Sequence, residues 1–431
     1  MNSLPRPHVV VLGGGFAGLS AVRALGKAPV DVTLVDRQAY NTFQPLLYQV
    51  ATAGLNPGDI TYFLRSVHAR QPNMRFTKGA VAGLDTAAQT VTLESGDQLD
   101  YDYLVVATGV NANYFGVPGA EEHALALYTR DQALAVRDRM FSGLERSVRH
   151  GQPEDLRIVI VGGGATGVEM AGTLAELRNS GLEALYPELD VHRTHITLIE
   201  MAPQLLTPFG KRSQRYTDKS LRKRGVELRL NTQVKEVRHD GVVVDDGEFL
   251  RSGLVIWASG IKVPDRVREW GLPQGGGGRI EVDENLRVKG LDNVFAVGDI
   301  ALSPEQLPQL AQPALQGGKF VGAQISRLVG GEPLKPFKYT NKGILATIGR
   351  SSAVAEITRL PTITGFPAWV IWILIHIVSL LSSRNRIATL VNLASRYVAW
   401  AGSYNAIVGE VKTPEGQPVG DKQAHGRLRS G

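Results

Sequence analysis

Residues 9–18 read VVVLGGGFAG, four apolar residues followed by three consecutive glycines and, after two further residues, a fourth. The apolar run predicts a strand of a buried parallel sheet, and Gly13, Gly15 and Gly18 have the G-x-G-x-x-G spacing of a dinucleotide-binding turn. The first glycine permits the sharp turn, the second lets the backbone approach a pyrophosphate, and the third allows close packing of helix on strand. A second apolar strand ends at Asp36, roughly 20 residues on, where a carboxylate accepts hydrogen bonds from a ribose.

The same pattern occurs a second time in the middle of the chain. Residues 158–161 read IVIV and are followed by GGGATG, in which Gly162, Gly164 and Gly167 take the three fingerprint positions. The next strand ends at Glu200, later than usual because a segment is inserted after the helix. A carboxylate there can bind a ribose 2′-hydroxyl but repels a 2′-phosphate, so we expect NADH to be preferred over NADPH.

Three further apolar strands that end in small residues set the predicted domain organisation. Residues 103–109 and 254–260 match each other as exit strands of the two units, and residues 293–299 return as a buried strand ending in Gly298 and Asp299. The predicted fold class is therefore α/β, with two Rossmann-like dinucleotide-binding domains, the second inserted in the first. The predicted boundaries are residues 1–115 and 290–335 for the first domain, 116–289 for the second, and 336–431 for a C-terminal region.

Composition restricts the classes of function. The chain has no cysteine, which excludes disulfides, thiolate metal sites and a redox-active dithiol, and no metal site is expected. The net charge is +6, and the stretch from Ser382 onward holds seven basic and three acidic residues, so four of the six excess charges lie there. A basic end beside an apolar segment suits an anionic lipid surface, whereas no nucleic-acid-binding motif is present. The first strand begins almost at once, so we expect no signal peptide.

Finer motifs resemble one family. Two dinucleotide sites with a Gly-Asp return strand resemble the two-dinucleotide-binding-domain flavoproteins over about the first 335 residues. Residues 42–54 read TFQPLLYQVATAG and lack the cysteine that dithiol reductases and sulfide:quinone reductases carry at this place. Residues 311–316 read AQPALQ, which is similar to the quinone-site pattern of the single-subunit type II NADH dehydrogenases. The chain is identified as resembling that family.

The resemblance implies FAD in the first domain and NADH in the inserted one. The residues that it assigns to FAD are Gly13, Gly15, Phe16, Ala17, Gly18, Asp36, Arg37, Gln44, Thr108, Gly109, Gly298, Asp299, Ala311 and Gln312. The residues assigned to NADH are Gly162, Gly164, Gly167, Glu169, Glu200, Ser259 and Gly260. Asp299 is expected to contact the ribityl and phosphate region of FAD, although a solvated strand end is the plain alternative.

The expected catalytic residues are Gln312, Gln316 and Glu169. Gln312 and Gln316 are four residues apart, so both neutral amides can lie on one helix face and hold a quinone carbonyl. The alternative is a pair of ordinary surface glutamines at a helix start. The resemblance places Glu169 near the flavin and the nicotinamide, where it would assist the transfer. The alternative is a first-turn acid that complements the helix dipole.

The C-terminal region carries an apolar run and an amphipathic helix. The run from Phe366 to Leu381 is roughly 16 residues, near 24 Å as a helix, and short for a bilayer core of about 30 Å. The next segment gathers apolar residues on one helical face, with tryptophans available as headgroup anchors: Ile387, Leu390, Val391, Ala394, Tyr397 and Val398, with Trp369, Trp372 and Trp400. We expect both helices to lie on the membrane surface, with a core or dimer interface and a true span as alternatives. The tail from Lys412 is expected to be disordered.

The predicted function is that of an NADH:quinone oxidoreductase on the cytoplasmic face of the cell membrane. NADH would give a hydride to FAD, and the reduced flavin would pass two electrons to a membrane quinone without proton pumping. One rival is an NADPH-dependent reductase of a quinone precursor, and another is a slowly turning flavoprotein like the apoptosis-inducing factors. The sequence leaves open which quinone is used, whether the chain forms a homodimer, and which residue delivers protons, for which Lys342 and His376 are the candidates.

Overall fold

The computed structural model of the protein describes residues 6–150, 157–190 and 193–399. Trp400 and the tail from Lys412 lie outside these residues. The chain folds into two compact units. The first contains the described residues of Met1–Asn41, Tyr62–Asn111 and Ile261–Lys342, and the second contains those of Thr42–Thr61, Ala112–Gly260 and Gly343–Gly431.

A five-stranded parallel sheet forms the centre of the first unit. Its order is Val294–Ala296, Tyr103–Val106, His8–Leu12, Asp31–Asp36 and Met74–Lys78. The apolar residues of the His8–Leu12 strand are fully buried, as expected for a parallel strand covered on both faces. Leu12 pairs with Val35 on one side and Val106 on the other, so the three strands end together at the fingerprint turn. Asp36 therefore lies at the carboxyl edge, beside the turn.

The second unit repeats this arrangement. Its parallel sheet has the order Leu125–Ala126, Leu254–Trp257, Arg157–Val161, His195–Glu200 and Val226–Leu230. Each unit also carries a small antiparallel sheet before its exit strand: Val81–Asp85, Thr90–Leu93 and Gln98–Asp100 in the first, and Val234–Arg238, Gly241–Val244 and Phe249–Arg251 in the second. The similarity between the two units therefore extends beyond the fingerprint turns to the small antiparallel sheets.

Helices cover the sheets in both units. In the first unit, Phe16–Ala24 follows the fingerprint and packs against Ala311–Val329. Gly318 and Gly322 make this close approach possible, because an added Cβ would lie 2.0 Å from the Ala17 carbonyl oxygen and 2.7 Å from that of Ala21, respectively. Ala17 faces Gly318 and Ala21 faces Gly322, so the contacts follow the same order along both helices. The two helices therefore run parallel. In the second unit the main helices are Leu47–Ala51, Arg130–His150, Ala165–Leu177 and Lys211–Lys223.

The C-terminal region belongs to the second unit. Its antiparallel sheet, Gly343–Thr347, Ala353–Ile357 and Ile363–Gly365, is here called the C-terminal sheet. The helices Phe366–Ser379 and Ser383–Ala399 follow and are called the first and second C-terminal helices. The first C-terminal helix has 14 residues and ends before the predicted limit, because Leu380 is extended. In the part of the chain that the structure describes, no helix combines the length and apolar character needed to cross a bilayer.

The compact units differ from the predicted boundaries at several segments, of which two are long. Residues 42–61 were expected in the first domain and pack in the second unit, whereas residues 261–289 were expected in the second domain and pack in the first. Trp270 and Ile280 are both buried there. These segments contain only short elements without a strand-turn-helix signature, so burial alone decides where they pack, and sequence periodicity gives no indication of it.

Candidate functional site

The first fingerprint turn has the backbone that a bound pyrophosphate needs. Gly13 has a φ of +101°, in the region that favours glycine. An added Cβ on Gly18 would lie 1.8 Å from the Gly13 carbonyl oxygen, so the helix can pack on the strand only with glycine there. Gly15 is different, because no atom of the protein would lie within 4 Å of its added Cβ. The backbone at Gly15 therefore faces open space, as an approaching phosphate group requires.

The second turn repeats these three properties. Gly162 has a φ of +112°, and a Cβ on Gly167 would lie 1.8 Å from the Gly162 carbonyl oxygen. A Cβ on Gly164 would meet no protein atom within 4 Å. Ser259 closes the turn from the exit strand, since its Cβ would lie 2.9 Å from one added to Gly162. The structure thus brings Gly162, Gly164, Gly167 and Ser259 to one edge of the second sheet.

The two strand-end carboxylates make matching contacts. Asp36 Oδ2 accepts a hydrogen bond from the Gly14 N–H at 2.6 Å, and Glu200 Oε2 accepts one from the Gly163 N–H at 2.6 Å. The remaining oxygens accept from the backbone two residues further on, at Gln38 and Ala202. Each oxygen keeps a second lone pair for a ribose hydroxyl. Burial raises the pKa of Asp36, opposed by the two backbone N–H groups.

A cleft in the first unit gathers several predicted cofactor residues. Gly13, Asp36, Arg37 and Thr108 line it together. The Thr108 hydroxyl is buried and has no hydrogen-bond partner within the described part of the chain, so a polar group of a bound molecule can supply one. This cleft and the open space beside Gly15 fit a dinucleotide.

Residues that the sequence did not indicate complete this cleft. Pro264, Arg266, Val267 and Trp270 form part of its wall. They come from the segment that the sequence placed in the other domain, and a short helical turn at residues 265–270 has no motif that could have identified it.

Asp299 lies at the carboxyl end of the first sheet, as predicted. Burial raises the pKa of its carboxyl group to about 6, opposed by the charge of Arg279. Gly298 has a φ of +83°, and its added Cβ would lie 3.1 Å from the Ala17 Cβ and 3.7 Å from the Ala314 Cβ. The return strand therefore ends between the fingerprint helix and the start of helix Ala311–Val329.

The two glutamines lie on one helix face but have unequal contacts. Gln316 Nε2 donates to the Gln312 side-chain oxygen at 3.4 Å, so the predicted pairing on one face is present. Gln316 Nε2 also donates to the Thr340 carbonyl oxygen, and the Thr340 N–H donates to Gln316 Oε1, both at 3.0 Å. Both polar atoms of Gln316 are therefore used by the backbone of Thr340. Gln312 is the amide better placed to meet a ligand.

Gln44 and Gly109 complete the predicted FAD residues. Gln44 begins a short helical turn in the second unit, where its Nε2 donates to the Tyr128 carbonyl oxygen at 3.3 Å. The sequence had assigned it to the first domain. Gly109 in the first unit and Gly260 in the second have φ values of +69° and +73°, so both exit strands end in a turn that favours glycine.

Glu169 lies in a buried pocket at the C-terminal sheet. It is the fifth residue of helix Ala165–Leu177, whose first turn has no acid, so the alternative that Glu169 is a first-turn acid is wrong. Its Oε1 accepts a hydrogen bond from the Thr347 N–H at 3.3 Å. Burial raises the pKa of Glu169 to about 8, opposed by this N–H and by the Trp372 indole. The indole lies beside the carboxyl group, but its N–H falls short of full hydrogen-bond geometry to any described residue.

Aromatic side chains close this pocket. Trp372 is 3% exposed and contacts Tyr48 edge to face at 6.1 Å between ring centroids. His376 stacks on Trp372 at 3.9 Å, and burial lowers the pKa of its imidazole to about 4. The prediction that Trp372 anchors in headgroups is therefore wrong, because the indole packs inside the second unit. His376 is neutral near neutral pH, and its role in proton delivery, like that of the exposed Lys342, stays a prediction.

The raised pKa of Glu169 predicts a pH-dependent stability. Between the ordinary value of 4.5 and about 8, the folded protein holds a proton that the unfolded chain has released. The free energy of unfolding should therefore decrease as pH rises through this window. Replacing Glu169 with glutamine removes the titration, so the decrease in Tm between about pH 5 and about pH 8 should be smaller than in the unchanged protein. Equal Tm decreases in thermal unfolding of the two proteins would contradict the prediction.

Known proteins resemble this chain over nearly its whole length. Residues 7–318 match the pyridine nucleotide-disulphide oxidoreductase family. The type II NADH:quinone oxidoreductase Ndh of Mycobacterium tuberculosis is 35% identical, over 99% of this chain and 93% of its own. The type II NADH:quinone oxidoreductase of Staphylococcus aureus is 30% identical, over 83% of this chain and 91% of its own.

Solved structures share the fold. NDH2 from Plasmodium falciparum, in complex with NADH, has a TM-score of 0.84 at 21% identity and covers 93% of this chain and 100% of its own. The sulfide:quinone oxidoreductase of Aquifex aeolicus has a TM-score of 0.73 at 20% identity, with 91% and 93% covered. The structural likeness supports the predicted fold class, and the sequence identities confirm the predicted family. The chain therefore belongs to the pyridine nucleotide-disulphide oxidoreductase family and, within it, to the type II NADH:quinone oxidoreductases.

Proposed function

We propose that this chain oxidises NADH and reduces a quinone, with FAD held in the first unit and NADH in the second. The observation that carries the proposal is the duplicated fingerprint turn, in which Gly15 and Gly164 each leave the backbone open to a phosphate group. When bound, FAD would supply the redox chemistry that connects hydride donation by NADH to reduction of the quinone. The protein supplies binding and orientation.

Different residues would bind FAD, NADH and the quinone. Gly15, Asp36 and Thr108 would hold the pyrophosphate, ribose and polar groups of FAD, and Gly164 and Glu200 would hold NADH. Because both oxygens of Glu200 already accept backbone hydrogen bonds, its carboxylate is fixed in place and should disfavour a 2′-phosphate. NADH is therefore the expected donor. Gln312 would hold a quinone carbonyl, while Gln316 holds the backbone at Thr340.

An assay of the purified protein tests this function. Extraction of the bound cofactor should yield FAD, and NADH oxidation should depend on added quinone. Several quinones should be compared, together with NADPH as the alternative donor. A protein that contains FAD but turns over slowly with every quinone would support the rival of a flavoprotein like the apoptosis-inducing factors.

We also propose that the protein associates with a membrane surface through the second C-terminal helix. Two of its asparagines face the protein: Asn385 donates to the Thr61 carbonyl oxygen at 2.6 Å, and Asn392 donates to Asp59 Oδ2 at 2.6 Å. Three of its large apolar residues face outward, with Ile387 63%, Leu390 52% and Val391 58% exposed. A helix that is held to the protein by inward asparagines and exposes an apolar patch suits a lipid surface. The cytoplasmic face remains the predicted side.

Charges on the outward face should weaken membrane binding. Replacing Ile387 and Leu390 with glutamate puts two charges where we expect acyl chains, and the fraction bound to vesicles should decrease by about tenfold or more. The matched control places two glutamates at Gln233 and His239, which are exposed and flank strand Val234–Arg238 of the second unit. Sedimentation with vesicles measures the fraction bound. If both variants bind like the unchanged protein, the membrane contact lies elsewhere.

A further inference from the structure

Helix Lys211–Lys223 presents an unusually basic surface on the second unit. Its exposed cations are Lys211, Arg212, Arg215, Lys219, Arg222 and Lys223. The helix has one acid, Asp218, which pairs with Arg222 at 3.0 Å. Within the described residues the other five cations have no ion pair. Most of this positive charge is therefore available to an external anion.

Helix stability does not explain these cations. Lys211 and Arg212 occupy the first turn, where the helix dipole disfavours positive charge, and that turn contains no acid. The anion at this end comes from elsewhere in the fold: Glu356 of the C-terminal sheet accepts hydrogen bonds from the Gly210 N–H at 2.9 Å and from the Ser213 hydroxyl. The first-turn cations thus oppose the local preference of the helix.

The basic helix lies next to the start of the first C-terminal helix. The Tyr216 hydroxyl is 3.1 Å from the Ser352 hydroxyl, and an added Cβ on Gly365 would lie 3.4 Å from the Tyr216 hydroxyl. Arg212 and Lys219 are four residues before and three after Tyr216, so they share its side of the helix. Phe366, the residue after Gly365, is 58% exposed. Positive charge and exposed apolar surface therefore adjoin in one unit.

We propose that helix Lys211–Lys223 binds the headgroups of anionic phospholipids beside the C-terminal helices. The inference rests on the membrane association proposed above and adds to it the class of lipid and a second contact. Each lysine or arginine near an anionic membrane surface favours binding, and a basic segment next to an apolar anchor supplies the second signal that a stable peripheral contact requires. Neutral lipids would be bound through the apolar faces alone.

The test compares two triple variants of the full chain. Arg212→Gln/Lys219→Gln/Lys223→Gln removes three charges from the basic helix. The control Lys235→Gln/Arg238→Gln/Arg251→Gln removes three exposed charges from the small antiparallel sheet of the same unit. Both are sedimented with phosphatidylcholine vesicles and with vesicles that contain about 30% phosphatidylglycerol. NADH oxidation with a water-soluble quinone analogue is measured in parallel.

The expected result is specific to lipid charge. The basic-helix variant should bind the anionic vesicles about tenfold less than the unchanged protein, bind neutral vesicles equally, and keep its NADH oxidation. The control should bind both kinds of vesicle like the unchanged protein. Equal loss in both variants would assign the effect to net charge, and no loss in either would remove the helix from the contact. Both outcomes overturn the proposal. If the unchanged protein does not oxidise NADH, that result would instead contradict the proposed function.

Discussion

Replacing Gly164 with valine should raise the KM for NADH by about tenfold or more while the protein keeps its FAD. The backbone at Gly164 has a φ of −71° and a ψ of −176°, which any residue can adopt, and an added Cβ meets no protein atom. The fold should therefore tolerate the valine. Its side chain would instead occupy the space where the pyrophosphate approaches the helix N-terminus.

Gly15→Val is the matched variant in the first unit. Gly15 has a φ of −75° and the same open surroundings, so the valine should again leave the fold intact. This variant should purify with much less FAD. Flavin absorbance and the KM for NADH measure the two effects separately. A Gly164→Val protein that loses its flavin, or a Gly15→Val protein that keeps it, would contradict the assignment of FAD and NADH to the two units.

Replacing Gln312 with leucine should lower quinone reduction by about tenfold or more, because a ligand carbonyl would lose its amide partner in a desolvated site. Flavin bleaching by NADH in a stopped-flow experiment without quinone should change much less. Slowing of both half-reactions to the same extent would mean that Gln312 acts on the flavin itself and would overturn the quinone-site assignment.

Gln316→Leu tests whether Gln316 stabilises the fold at Thr340 or contacts the quinone. This change removes the two hydrogen bonds to Thr340 and should lower Tm as well as quinone reduction, since two backbone groups lose their partners. Gln312→Leu should leave Tm nearly unchanged. If Gln316→Leu lowers quinone reduction without a change in Tm, Gln316 contacts the quinone and its bond to Thr340 is incidental.

The sequence by itself determined the two nucleotide-binding folds. An apolar strand, a glycine turn and a strand-end acid are local signals. The positive φ angles of Gly13 and Gly162 are conformations that residues other than glycine rarely adopt. The positions of Asp36 and Glu200 beside their turns follow directly, because adjacent parallel strands end at the same edge of a sheet. Family membership likewise follows from motifs read along the chain.

Only the tertiary structure decided which distant segments complete each unit and how each polar group is used. Residues 261–289 pack in the first unit and residues 42–61 pack in the second. Neither segment has a sequence pattern that indicates the unit in which it packs. The raised pKa of Glu169 arises from its burial in a pocket whose other groups, Thr347 and Trp372, lie about 180 and about 200 residues away in the sequence. The use of the Gln316 amide by Thr340 is likewise invisible in a six-residue motif. Burial and hydrogen-bond partners depend on long-range packing, whereas turn geometry and strand periodicity are local properties of the chain.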